Sequence, residues 1–204
     1  MITRSKRSQV GDRSAVALDA CAPADRPLRP LSRAEVLARL AAALEQCDGI
    51  PGAHCIHELW MRGEMGLNVE TMLSQLWARA AATVPDWLPM RHVEALPTLY
   101  EVASRFQREG RGRSNLYAIL LDYSDSRPEP YGFYIGMTRY RPAERFDQHK
   151  AGIRAAGSVL QRGLELLPGP LLHLQRLPHR QAEQLEEQLA EALRAAGLFV
   201  QGGH

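Results

Sequence analysis

Apolar and polar positions fall into two different rhythms along this chain. From Leu31 to Phe106 the apolar residues recur at helical spacing: Val36, Leu37, Leu40 and Leu44 share one face, then Met72, Leu73, Leu76, Trp77 and Ala80, then Leu99, Val102, Ala103 and Phe106. The first of these helices opens at "LSRAE", where Ser32 and Glu35 have capping-box spacing and Leu31 can staple onto Val36, and it stops near Gly49. The second starts after Asn68 and ends before Pro85; the third follows Pro97. Residues 1 to about 30, with "CAPADRPLRP", lack apolar periodicity and read as a flexible tail.

The rhythm changes after "REGRGRS", Arg108–Ser114, a basic, glycine-rich segment that reads as a hinge and domain boundary. "NLYAILLDY" and "YGFYIGMT" are continuous apolar and aromatic runs joined by the polar "SDSRPEP", and predict two antiparallel strands. A helix is expected over "RPAERFDQHKAGIRAAG", with Pro142 in its first turn and Gly157 at its end. A Leu/Gly-rich connection, a short strand at "PLLHLQRL" and a last helix from about Arg180 to Ala196 follow. The order strand, strand, helix, strand, helix predicts an α+β protein. Its small antiparallel three-stranded sheet is flanked by helices, and a helical region precedes it. The expected division is a tail over 1–30, a helical accessory region over 31–110 and a sheet domain over 111–204.

Composition narrows the classes. With 45% hydrophobic and 24% charged residues, a chain of 204 can bury a real core. No apolar run approaches the about 18 residues of a membrane span, and "MITRSKRSQVGDR" has no apolar stretch behind it, so no membrane partner and a cytoplasmic location are expected. Cys21, Cys47 and Cys55 are irregularly spaced and read as free thiols. Net charge is only +2, but Arg105 to Arg162 holds eleven basic against six acidic residues. That excess suits a phosphate-bearing partner, and equally a solvated arginine-rich surface.

Chemistry concentrates in "YIGMTRYRPAERFDQHKAG". An arginine and a histidine, Arg145 and His149, stand four apart on one helical face directly after a strand that carries Tyr134 and Gly136. From Asn115 to His204 the chain resembles the GIY-YIG nuclease superfamily, through "NLY" at the first strand, "YIG" at the second, "RFDQH" on the following helix and "LEEQL" on the last. It is most similar to a bacterial branch linked to cleavage of single-stranded DNA. Asn115 and Leu116 stand where Gly and Ile are usual, and the asparagine often found near the end of the family's domain has no counterpart. Residues 1–114 lie outside the resemblance.

The resemblance implies divalent-metal-dependent cleavage of DNA phosphodiesters, with Tyr117 as general base and Mg2+ or Mn2+ as cofactor. A tyrosine ionises near pH ~10, so a cation must help it, and Arg145 is placed to do so or to clamp a phosphate. His149 can donate to a phosphate oxygen or help to activate water, and Tyr134 can share the proton of Tyr117 or orient the water. Gly136 leaves room for close approach. Lys150 and Arg154 are candidate DNA-backbone contacts, as are Arg111 and Arg113 in the hinge.

The metal ligand must be chosen among Glu183, Glu186, Glu187 and Glu191 of the last helix. Leu185, Leu189, Ala192, Leu193 and Ala196 define its buried stripe. Glu186 lies on the edge of that stripe and can reach inward, whereas the other three turn outward. The family pattern, with Leu185 before and Leu189 after, selects Glu186 as well.

Two other readings stay open: a sequence-specific restriction or homing-type endonuclease acting on duplex DNA, and a nuclease-derived binding or regulatory module without activity. Elsewhere the set Cys47, His54, Cys55 and His57 lacks a recognised zinc-ligand spacing. Trp60, Trp77 and Trp87 read as core anchors rather than base-stacking platforms.

Overall fold

Ser32 caps the first helix in the way its spacing predicts. In the computed structural model, which describes residues 25–64 and 67–203, its side chain accepts from the Glu35 N–H while Glu35 accepts from the Ser32 N–H. This helix, α1 (Arg33–Gln46), buries Val36, Leu40 and Ala43 and ends on Cys47 in the left-handed region. Most of the expected tail, residues 1–24, lies outside the described residues. Its last residues are docked: Leu28 is in the core, and the Arg26 guanidinium pairs with the buried Glu58 carboxylate at 2.9 Å.

Between α1 and the helix α3 (Leu67–Ala80) lies an unexpected helix, α2 (Gly49–Met61). It has almost no polar face, since Gly52 to Trp60 are all buried, so it shows no amphipathic period to read. Its glycines look like loop punctuation in the sequence but serve close packing. A Cβ on Gly49 would lie 2.3 Å from the Val84 nitrogen, and one on Gly52 2.4 Å from a Leu76 methyl. Helix α4 (Leu96–Ala103) then packs on the segments that follow the sheet.

Strands β1 (Asn115–Asp122) and β2 (Tyr131–Thr138) pair antiparallel, with Tyr117 opposite Gly136. The rest of the sheet corrects the expectation. It has four strands, not three, in the order β3-β1-β2-β4, and it is mixed. β3 (Gly163–Leu166) lies in the Leu/Gly-rich connection and pairs antiparallel with β1. "PLLHLQRL" instead begins in a 3₁₀ helix, Gly169–Leu174, where Pro170 suits a first turn and not a ladder. The last strand, β4 (Val200–Gly202), is formed by the chain's end running parallel to β2.

The helix after β2 is also shorter than expected. α5 spans Pro142–Lys150, Gly152 turns the chain at φ 76°, and Gly157 opens α6 (Gly157–Arg162) rather than closing α5. The final helix α7 (His179–Ala195) buries Ala182, Leu185, Leu189, Ala190 and Leu193, whereas Ala196 is the exposed cap.

One large apolar cluster joins α1–α4 to β1, β2, the 3₁₀ helix and α7; it includes Val36, Trp60, Leu99, Leu120, Leu174 and Leu189. The basic segment Arg108–Ser114 is pinned where it enters the sheet. Gly112 N–H donates to the Arg176 carbonyl at 2.7 Å, and Ser114 and Leu177 exchange backbone bonds. No helix among the described residues is long and apolar enough to cross a membrane.

Candidate active site

Alternation along β1 sends Leu116, Ala118 and Leu120 into the large core and Tyr117, Ile119 and Leu121 to the other face. That second face is covered thinly, by Val159 of α6 with Phe146, Tyr134 and Leu166 at its margin. Tyr117 is 2% exposed and His149 wholly buried. Tyr117, Tyr134 and His149 form a triangle of rings, with centroids 5.7 to 6.1 Å apart.

The hydrogen bonds fix the histidine's chemistry. His149 Nδ1 lies 3.1 Å from the Ala156 backbone nitrogen. An amide N–H can only donate, so Nδ1 accepts, and the proton of the neutral ring sits on Nε2. Nε2 is 2.9 Å from the Tyr117 hydroxyl oxygen and therefore donates to it. Burial holds the His149 pKa down at about 4, with the nearby Arg145 charge adding to the effect, so the ring is neutral and keeps this tautomer. Burial also pushes Tyr117 above the usual tyrosine range; the neighbouring Tyr134 adds to the rise, and Arg145 opposes it by its charge and by a hydrogen bond. Tyr134 is raised as well, chiefly by burial.

Arg145 is held by the loop behind it. Its Nη1 donates to the carbonyl of Ile153 at 3.2 Å and to Gln148 Oε1 at 3.3 Å, and its Nη2 to the carbonyl of Arg154 at 2.8 Å. The same loop supplies the Ala156 N–H to His149. Its bend uses Gly152 and Arg154, both at positive φ. With both ring nitrogens engaged and no exposed surface, His149 faces Tyr117 rather than a phosphate. Arg145 has part of its donor set committed to carbonyls, so a bidentate grip on a phosphate is not its arrangement here.

Gly136 is required, but by the tyrosines. A Cβ there would lie 2.7 Å from the Tyr117 hydroxyl and 2.7 Å from Tyr134 Cε1. The space is filled by the two rings themselves.

Glu186 is partly buried on α7, close enough for its charge to raise the Tyr134 pKa. It accepts from the Gly203 N–H, just beyond β4, and burial pushes its own pKa up to about 7, helped by Glu183. Glu183, Glu187 and Glu191 are exposed, and Glu183 pairs with His179 at 3.4 Å. Among the described residues no group of three or more His, Cys, Asp or Glu could hold a metal ion. A single carboxylate can still anchor a hard cation that keeps most of its waters and takes phosphate oxygens.

The structure thus gathers Tyr117, Tyr134, Gly136, Arg145, His149 and Glu186 into one place. It sets Lys150 apart: its Nζ donates to the Gly163 carbonyl at 2.8 Å, beside Asp122, Asp125 and Arg162. Arg111, Arg113 and Arg154 are exposed, and the carbonyl of Arg154 serves Arg145. The contributions that sequence reasoning misses are backbone ones: the Ala156 and Gly203 N–H groups and the carbonyls of Ile153 and Arg154. Only Gly152 and the terminal Gly202-Gly203 pair hint at them.

Cys55 is buried and Cys47 is a helix cap. His57 packs edge-on to Trp87 and Tyr100, with its pKa held down at about 3, mainly by burial. No protein-family model, curated protein or solved structure matches this chain.

Proposed function

We propose that the chain is a divalent-metal-dependent endonuclease of the GIY-YIG type that hydrolyses DNA phosphodiester bonds, with a preference for single strands. The observation that carries this reading is the buried tyrosine held by a histidine of fixed tautomer. A buried tyrosine hydroxyl takes a partner in any fold; a histidine held in one tautomer as donor, with the Arg145 guanidinium nearby, is a set that also favours the phenolate.

In this reading Tyr117 first releases its hydroxyl proton to solvent, a step that burial opposes and Arg145 favours, and its phenolate then takes a proton from the attacking water. Its phenolate form is stabilised by the Nε2–H of His149 and by the Arg145 guanidinium. His149 remains neutral throughout and acts as a positioning donor. Tyr134, its ring centroid 6.0 Å from that of Tyr117, orients the water. Glu186 would hold Mg2+ or Mn2+, which when bound supplies charge to polarise a phosphate oxygen and stabilise the leaving oxygen. The excess of positive charge over Arg105–Arg162, with Arg111, Arg113 and Arg154 exposed, attracts the DNA backbone.

The test is to incubate the purified protein with labelled single-stranded DNA, duplex DNA and RNA, with and without Mg2+ or Mn2+. DNA cutting that stops on adding excess chelator is expected. Cutting that persists in chelator would sink the mechanism, and binding without cutting of any substrate would favour a regulatory module.

A further inference from the structure

Next to Leu166, where β3 ends, lies a cleft of about 570 Å³ that shares Tyr117 with the site, within the ~300–1,000 Å³ range of small-ligand pockets. Tyr117 forms part of its wall, with Trp87, Pro142, Ala143, Leu171 and Leu172. Trp87 arrives from the segment between α3 and α4, so the helical half completes a pocket that begins at the catalytic tyrosine. The indole is half-buried and is held by the rings of His54 and His57, at 4.9 and 5.8 Å. Arg141, exposed at the cap of α5 and one turn before Arg145, stands on the rim. Gln175 spends its Nε2 on the carbonyls of Leu116 and Leu171, both at 2.8 Å, which leaves its Oε1 as an acceptor in the lining.

We infer that this cleft receives one unpaired nucleobase beside the scissile phosphate, and that this selects single-stranded substrate. The inference rests on the nuclease reading above. A base in a duplex is stacked and paired and cannot enter such a pocket without being extruded; a base in a single strand enters with little unstacking. An indole in an apolar lining meets the π-face of any base, and the rim arginine meets the phosphate that comes with it. Continuity with Tyr117 ties the occupant to the strand being cut. Trp87 is therefore a stacking platform and not only the core anchor that its sequence context suggests.

The test uses the full chain in chelator, so that DNA is bound and not cut. The probes are a fluorescent single-stranded 12-mer of mixed sequence and the same strand built from abasic residues. The wild type should bind the base-bearing strand about tenfold more tightly, the scale of one stacked base. Ala143→Trp fills the cleft from an exposed helical position and should remove that difference while leaving affinity for the abasic strand unchanged; Trp87→Ala should do the same. Equal binding of both strands by the wild type, or full discrimination retained by Ala143→Trp, would overturn the inference. Loss of both strands' binding on Ala143→Trp would overturn it too, assigning the surface to backbone contacts. A protein that cuts DNA with metal yet fails this test keeps the nuclease reading and loses the cleft. A protein that passes it and cuts nothing does the reverse.

Discussion

Leu116, Ala118 and Leu120 enter a core that runs through α1–α4 and α7, whereas Tyr117, Ile119 and Leu121, on the same strand, meet little more than α5, α6 and their loop. All six side chains are buried. The difference lies in what covers them. The thick face is closed by apolar side chains and fixes where the strand lies. The thin face is closed by two short helices and a loop whose backbone groups grip Arg145 and His149, so it can hold polar atoms in a fixed array. Placing a tyrosine hydroxyl against the first face would bury it unpaired; on the second it has the His149 Nε2–H as a donor.

The largest effect that sharpens this contrast is expected from Gly136→Ala. The added methyl meets the Tyr117 hydroxyl and the Tyr134 ring at 2.7 Å. Overpacking of this kind costs about 1–3 kcal/mol, and, on the proposed mechanism, displacing the Tyr117 hydroxyl by up to about an ångström should lower turnover by about 100-fold. Thermal melting and steady-state cleavage measure the two parts. An unchanged rate would mean that the tyrosine's position does not matter.

Glu186→Gln should remove cleavage, by at least about 100-fold at saturating metal, while single-stranded DNA binding and melting temperature hold. Glu187→Gln, its exposed neighbour, should stay within about twofold of the wild type. The opposite pattern would show that the wrong face of α7 has been assigned to the site.

A smaller effect is expected on stability in acid. His57 on the thick side and His149 on the thin side are neutral in the fold, with pKa values held at about 3 and about 4, against about 6.5 in an unfolded chain. Below pH ~6.5 the unfolded chain binds protons that the folded one does not. Stability is therefore complete above that pH and falls as pH drops toward 4, by at most about 1.4 kcal/mol per unit for each histidine. Urea unfolding at pH 7 and pH 5 measures this, and His149→Gln should shrink the slope. A slope that is the same with and without His149 would mean that its ring is not held neutral.

What the sequence made legible was what local pattern dictates. The capping box at Ser32, the two strands with their antiparallel pairing, and the inward edge of α7 with Glu186 all follow from spacing alone. Helix α2 was hidden because burial on every side erases its period and close packing demands glycines at 49 and 52. β3 and β4 were hidden because they are short and their pairing is decided by distant partners. In the site, the gathering of Tyr117, Tyr134, Arg145, His149 and Glu186 matches the spacing of their motifs. The tautomer of His149, the tether of Arg145 and the diversion of Lys150 to Gly163 depend on loop backbone, on which residue types carry little information.

The most direct measurement sets the two faces side by side: Tyr117→Phe against Leu120→Ala, each followed for melting temperature and for single-turnover cleavage of single-stranded DNA with Mg2+. Tyr117→Phe should lose at least about 100-fold in rate and no more than about 5 °C in melting temperature. Leu120→Ala should lose about 2–5 kcal/mol of stability yet cut at near the wild-type rate per folded molecule. A Tyr117→Phe protein that cuts as fast as the wild type would contradict the assignment of this face to catalysis.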